Sequence, residues 1–152
     1  MWNEKNSLAL SKLLVGFFFI TTIACDVGGF WLVKWFLSWS RYRLLQDLPY
    51  QVLFMVSLYA VSIPVYWVLF RLHRLLANIE KEKVFVPENV KCLRAISWGC
   101  AAAAVICLVS ASYYLPYLLV MIAAAFMALI LRIVKNVFEQ ACRMQNELDL
   151  TV

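Results

Sequence analysis

The sequence predicts an all-α fold: a four-helix transmembrane bundle built from two hairpins, with helices 2 and 4 extending into the cytoplasm. Three observations predict it. Hydrophobic residues make up 64% of the 152 residues and charged residues 15%, and mean hydropathy is +0.79. A soluble domain of this length cannot hide so much apolar surface, because much of its chain must face water. Charge is also absent from two long blocks, residues 48–70 and 95–131. Finally, once those blocks are threaded through a bilayer, the cations gather on one side. The same composition excludes a disordered chain, a disulfide scaffold and a free nucleic-acid-binding domain.

The chain reads as a single membrane domain over 1–152. Residues 13–25 (LLVGFFFITTIAC) are apolar, but Lys12 and Asp26 bracket only these thirteen, too few to cross. Apolar character resumes at Val27, so the first span is expected over about 8–30, with Lys12 snorkelling inward and Asp26 near the far end. An interfacial outer segment follows over 31–47. Trp31, Trp35 and Trp39 recur there at helical spacing, which predicts a helix over 31–45 lying on the outer leaflet.

The second span is the neutral stretch 48–70. Its 23 residues make about 35 Å of helix, enough for a hydrocarbon core of about 30 Å. Pro64 should kink it. The 37 neutral residues between Arg94 and Arg132 would run about 55 Å as one helix, so they must fold back. The turn-like point is Ser112 to Pro116, and a proline fits the first turn of a helix. Spans over about 94–113 and 116–137 result. A cytoplasmic loop (71–93) and tail (138–152) complete the chain.

Helices associate in lipid through close packing of small residues. Ala95, Gly99, Ala103, Cys107 and Ala111 give the third span a smooth face, and Ala123, Ala124, Ala125 and Ala128 offer a matching one on the fourth. These two should form a tight hairpin. Beyond the membrane, Leu72, Leu75, Leu76 and Ile79 make one apolar stripe, and Val134, Val137, Phe138, Ala141 and Leu148 another. Period 3–4 in both predicts amphipathic helices that bury each other as a short stalk.

Orientation follows from the cations. With the N-terminus inside, eleven of the fourteen Lys and Arg residues are internal, and only Lys34, Arg41 and Arg43 are external. Both termini and the middle loop are therefore expected in the cytoplasm of a bacterial inner-membrane protein. The net charge of +5 then reads as a topological signal and an attraction to anionic lipid. Direct nucleic-acid binding is not expected, because acids interrupt each basic run.

Signals for catalysis are absent. The single histidine, His73, lies between Arg71 and Arg74 and has no second histidine to share a metal. Cysteines 25, 92, 100, 107 and 142 show no paired-ligand spacing. No phosphate loop, nucleophile elbow or HExxH occurs. No catalytic residue, cofactor or metal is expected. Asp26 is the sole acid with a claim to membrane depth, and Lys34 is its expected ion partner.

The middle and end of the chain carry a resemblance. Asn78-Ile79-Glu80, Val84-Phe85, Glu88-Asn89-Val90-Lys91 and Leu93-Arg94 are followed by the run Leu131 to Ala141 and the ending Glu147 to Val152. Over about 50–152 these segments resemble a domain-of-unknown-function family of small four-helix bacterial membrane proteins, the YoaS-like group. Val86 departs from the family's small polar residue, a better helix cap, and Leu148 from its common Asn. Members are often encoded beside a small Cro/CI-type helix-turn-helix regulator. The resemblance thus implies a membrane component that binds or restrains such a regulator, and it carries no catalytic residues.

The expected function is a non-enzymatic membrane protein that docks a cytoplasmic regulator. The docking candidates are Phe85, Glu88, Asn89, Lys91, Arg94, Arg132, Lys135, Phe138, Glu139 and Asp149. One alternative is a small transporter, channel or toxic-peptide resistance protein that uses Asp26. Another is an accessory subunit whose smooth third span meets a foreign helix. The expected partners are the lipid bilayer, a regulator protein and a second copy of the chain.

Overall fold

A computed structural model describes residues 4–39, 48–81 and 84–150. Among them are five helices: α1 (Glu4–Val27), α2 (Gly29–Trp39), α3 (Leu48–Glu80), α4 (Pro87–Ser110) and α5 (Tyr117–Leu150). α1, α3, α4 and α5 are each long and apolar enough to cross a membrane, the pattern of a multi-pass membrane protein. Arg41, Arg43, Glu82 and Lys83 lie outside the described residues, as does the rest of the outer segment over 40–47.

α4 is the centre of the molecule. Cys92, Leu93 and Ile96 are buried with Leu75 of α3, and Leu72, Ile79, Leu131, Val134 and Phe138 close around them. The stripes on α3 and α5 each pack on the first turns of α4, which lie between them, rather than on each other as expected, and Val137 and Leu148 of the second stripe are exposed. The part those turns play is hidden in the sequence, because the stripes on α3 and α5 are the more obviously periodic.

Gly99 sets the distance between α3 and α4. A β-carbon there would collide with the side chain of Val68, and Pro64 O is 3.6 Å from the same point. The small residue thus serves α3, where the sequence reading assigned it to the fourth span. α5 is joined to α4 by the hydroxyl of Ser97, which donates to Ala128 O at 2.9 Å. α3 runs unbroken through Pro64, which is buried.

α1 and α2 are two limbs of one bent helix. Gly28 N donates to Ala24 O and Leu32 N to Gly28 O across the bend. Gly29 lets the second limb approach α3, since a β-carbon would lie 2.9 Å from Leu58 Cδ2. From there α2 packs lengthwise on the first turns of α3, with Val33 buried against Tyr50, Phe54, Met55, Leu58 and Tyr114. Of the helix expected over 31–45 on the outer leaflet, the described part is α2, and it packs on α3. Val33 is the reason: it finds an apolar groove that the tryptophan pattern does not reveal. Phe36, Phe54, Tyr114 and Tyr117 cap this end, with ring centroids 5.5–6.0 Å apart.

Candidate functional site

Polar side chains concentrate in two places: the joint of α1 with α3, and the end of the bundle where α3, α4 and α5 meet the 81–86 loop. The joint holds Asp26. The hydroxyl of Ser62 donates to its Oδ1 at 2.6 Å, and that of Tyr66 to its Oδ2 at 2.8 Å. Tyr59 donates to the backbone oxygen of Asp26 at 3.1 Å. Each carboxylate oxygen thus has its own O–H donor from α3. Beside this cage lies a cavity of about 230 Å³ that reaches Thr22, Cys25, Ser57, Cys107 and Tyr117.

Contacts along the chain fix the level of the cage. Lys12 pairs with Glu80, Phe19 lies against Tyr66, Asp26 bonds Ser62, and Val33 packs on Phe54. α1–α2 therefore runs antiparallel to α3, and Asp26 lies level with residues 62–66 of the neutral 48–70 stretch. Arg71 is about 8–13 Å further along the α3 axis. The expected partner Lys34 is elsewhere, its Nζ 4.2 Å from the centroid of the Phe30 ring. The donors were missed in the sequence, yet a signal existed. Tyr59, Ser62 and Tyr66 share one helix face at i, i+3 and i+7, and they carry hydroxyls inside an otherwise neutral span.

At the other place, Asn89 is an internal brace. It is fully buried, accepts from Asn78 Nδ2 at 2.8 Å and donates to Val84 O at 2.8 Å. It thereby ties the end of α3 to the start of α4 and offers no surface to a partner. Val86 caps α4 without a side-chain bond, and Pro87 and Glu88 open the helix.

The remaining candidates form two groups. Phe85 is about half exposed and rests on Phe138, with centroids 5.6 Å apart; Glu88 and Lys91 are exposed on the adjoining turns of α4. Arg94, Arg132 and Lys135 line a separate cleft of about 240 Å³ with Ser97 and Trp98. Lys135 also binds Glu139 at 2.7 Å. That hydrogen bond and the ammonium charge hold the Glu139 carboxyl below the usual range, with Arg94 and Arg143 adding to the effect. Asp149 lies in the last turn of α5, outside the residues whose side chains are described. Beyond Cys142, residues 143–148 of α5 are all exposed.

A family model described as "Protein of unknown function (DUF2975)" matches residues 38–152. The match takes in α3, α4 and α5 and leaves α1 and Asp26 outside it. No curated protein and no solved structure matches the chain.

Proposed function

The chain belongs to the DUF2975 family of proteins of unknown function, and from that premise we propose that it is a non-enzymatic bacterial inner-membrane protein that holds a cytoplasmic protein at the inner end of its bundle. The chain crosses the bilayer as two hairpins with both termini inside, and α3 and α5 extend into the cytoplasm, as the bias of cations supports. One observation carries the docking reading. α5 continues past the packed stalk with its sides exposed, and Met144 and Leu148, one turn apart, are 59% and 68% exposed. Apolar side chains displayed on a helix beyond the lipid are the raw material of a protein interface. Phe85, Glu88, Lys91, Phe138 and Glu139 border the same end.

The partner best fitted to this role is a small helix-turn-helix regulator, kept from DNA while bound at the membrane. Co-purification after cross-linking in native membranes tests the reading. The expected result is one partner recovered with the wild type and lost with Met144→Glu. Equal recovery with Met144→Glu and with residues 139–152 deleted would sink it.

The caged carboxylate favours a second reading. An ionisable residue at membrane depth marks an ion or proton path by default, and Asp26 has a cavity beside it. In that reading a proton or small cation exchanges at Asp26. Flux or resistance unchanged by Asp26→Asn would remove its only acid. The accessory-subunit reading fares less well, because Gly99 on the smooth face of α4 is already covered by Val68 within the chain.

A further inference from the structure

The cleft of Arg94, Arg132 and Lys135 is not isolated. It opens onto a groove of about 380 Å³ between α4 and α5, and the two share Ser97, Trp98 and Arg132. The groove floor is smooth, made by Ala101, Ala104, Ala125 and Ala128. One end of this continuous surface is thus cationic and the rest apolar.

The level of the junction in the bilayer follows from internal contacts. Asn78 meets Asn89 and Gly99 faces Val68, so Ser97 lies level with Phe70, the last neutral residue of the second span. Ser97 in turn bonds Ala128. Arg94, Arg132 and Lys135 therefore stand just beyond the apolar slab, and Ala101, Ala104 and Ala125 stand within it. Trp98 is 63% exposed at the boundary, with the Arg132 guanidinium 5.8 Å from its ring centroid. Trp is the side chain most at home at that level.

Charge balance selects the occupant. Among the described residues, Glu139 is the carboxylate paired with a cleft cation, Lys135, so the three cations of the cleft meet one anion at its edge. Arg presents a planar fork suited to phosphate oxygens. Basic pockets between transmembrane helices on the cytoplasmic side are sites for anionic lipid headgroups. We propose that the α4–α5 groove binds an anionic phospholipid of the inner leaflet. The phosphate sits between Arg94 and Arg132, and one acyl chain lies along the alanine floor. The inner-leaflet level rests on the proposed topology, and the site does not use Met144 and Leu148, which carry the docking reading.

Native mass spectrometry of the full-length protein in detergent tests this, with phosphatidylglycerol and phosphatidylcholine titrated separately. Phosphatidylglycerol should stay bound at activation that strips phosphatidylcholine. Arg94→Gln with Arg132→Gln should weaken phosphatidylglycerol binding about tenfold or more, since it removes charge-assisted hydrogen bonds. The corresponding double Lys variant keeps the charge and should recover part of that loss, separating a binding defect from misfolding. Ala101→Leu, which fills the groove, should weaken phosphatidylglycerol and leave binding of inorganic phosphate unchanged. Equal retention of both lipids, or wild-type binding by the double Gln variant, would overturn the proposal. So would inorganic phosphate binding as tightly as the lipid, which would make the cleft a free-anion site.

Discussion

The two parts of this molecule are held together by opposite means. The body of α3, α4 and α5 relies on close packing: Gly99 against Val68, Cys92 and Ile96 among leucines, and a buried asparagine bracing the loop. The first limb of the arm of α1 and α2 is buried far less than α4 and no more than α5, and the bonds of that limb to the body are polar, at Asp26 and at Lys12–Glu80. In lipid there is no hydrophobic drive to press one helix on another, so fit decides affinity. The first limb adds apolar contact at buried Val15 and between Phe19 and Tyr66, but its fastening leans on hydrogen bonds, and such bonds are modest. The body should therefore be the stable unit and the arm the detachable one.

The largest expected effect breaks the body. Gly99→Leu places a branched side chain where even a β-carbon collides with Val68. Overpacking of this kind costs about 1–3 kcal/mol, and more where the backbone must move. Thermal unfolding of the purified protein should show a clearly lowered midpoint, with α3 and α4 separating. A wild-type midpoint for Gly99→Leu would show that α3 and α4 do not meet as described.

The second effect should fall on the arm alone. Asp26→Leu removes the carboxylate that accepts from Ser62 and Tyr66, leaving Ser62 its bond to Leu58 O and taking from Tyr66 its acceptor on α1. Interhelical hydrogen bonds in membrane proteins average about 0.6 kcal/mol each, reaching about 1.7, so the loss should loosen α1 without unfolding α3–α5. Hydrogen exchange in detergent should rise over residues 15–27 and stay near wild type over 89–107. Uniform exchange across both segments would mean that arm and body form one cooperative unit.

Much of the body was legible in sequence, because its signals are local. The neutral 48–70 stretch and the stripes at Leu72–Ile79 and Val134–Phe138 map onto described helices, and the break at Ser112 to Pro116 falls in the turn between α4 and α5. What was not legible depends on pairing between distant segments. Asn89 looks like a surface residue of a helix start until Asn78 and Val84 close over it. Gly99 could have served either neighbouring helix. Asp26 gave away its importance by being alone, but its donors lie 36 and 40 residues away. The basic cleft was dispersed in the same way. Arg94 and Arg132 are separated by the entire neutral stretch, and only the return of α5 along α4 brings them to one surface.

The smallest expected effect concerns the second fastening of the arm, the pair between Lys12 and Glu80. The Lys12 ammonium, through its hydrogen bond and charge, holds the Glu80 carboxyl below the ordinary range. A carboxyl depressed by folding adds stability that is present above its unfolded pKa and lost as pH falls through the folded value. Glu80 lies ten residues past Phe70, beyond the neutral stretch, and the pair is open to solvent, so salt should weaken it. Exchange over residues 6–14 should therefore rise slightly with Glu80→Gln at neutral pH, and the same rise should appear in the wild type as pH drops below the carboxylate range. Once Glu80 is Gln, that acid-dependent component should vanish while the Asp26 joint still holds. If acid loosens the Glu80→Gln arm as much as the wild-type arm, the pH response belongs to another group and the arm has a single fastening.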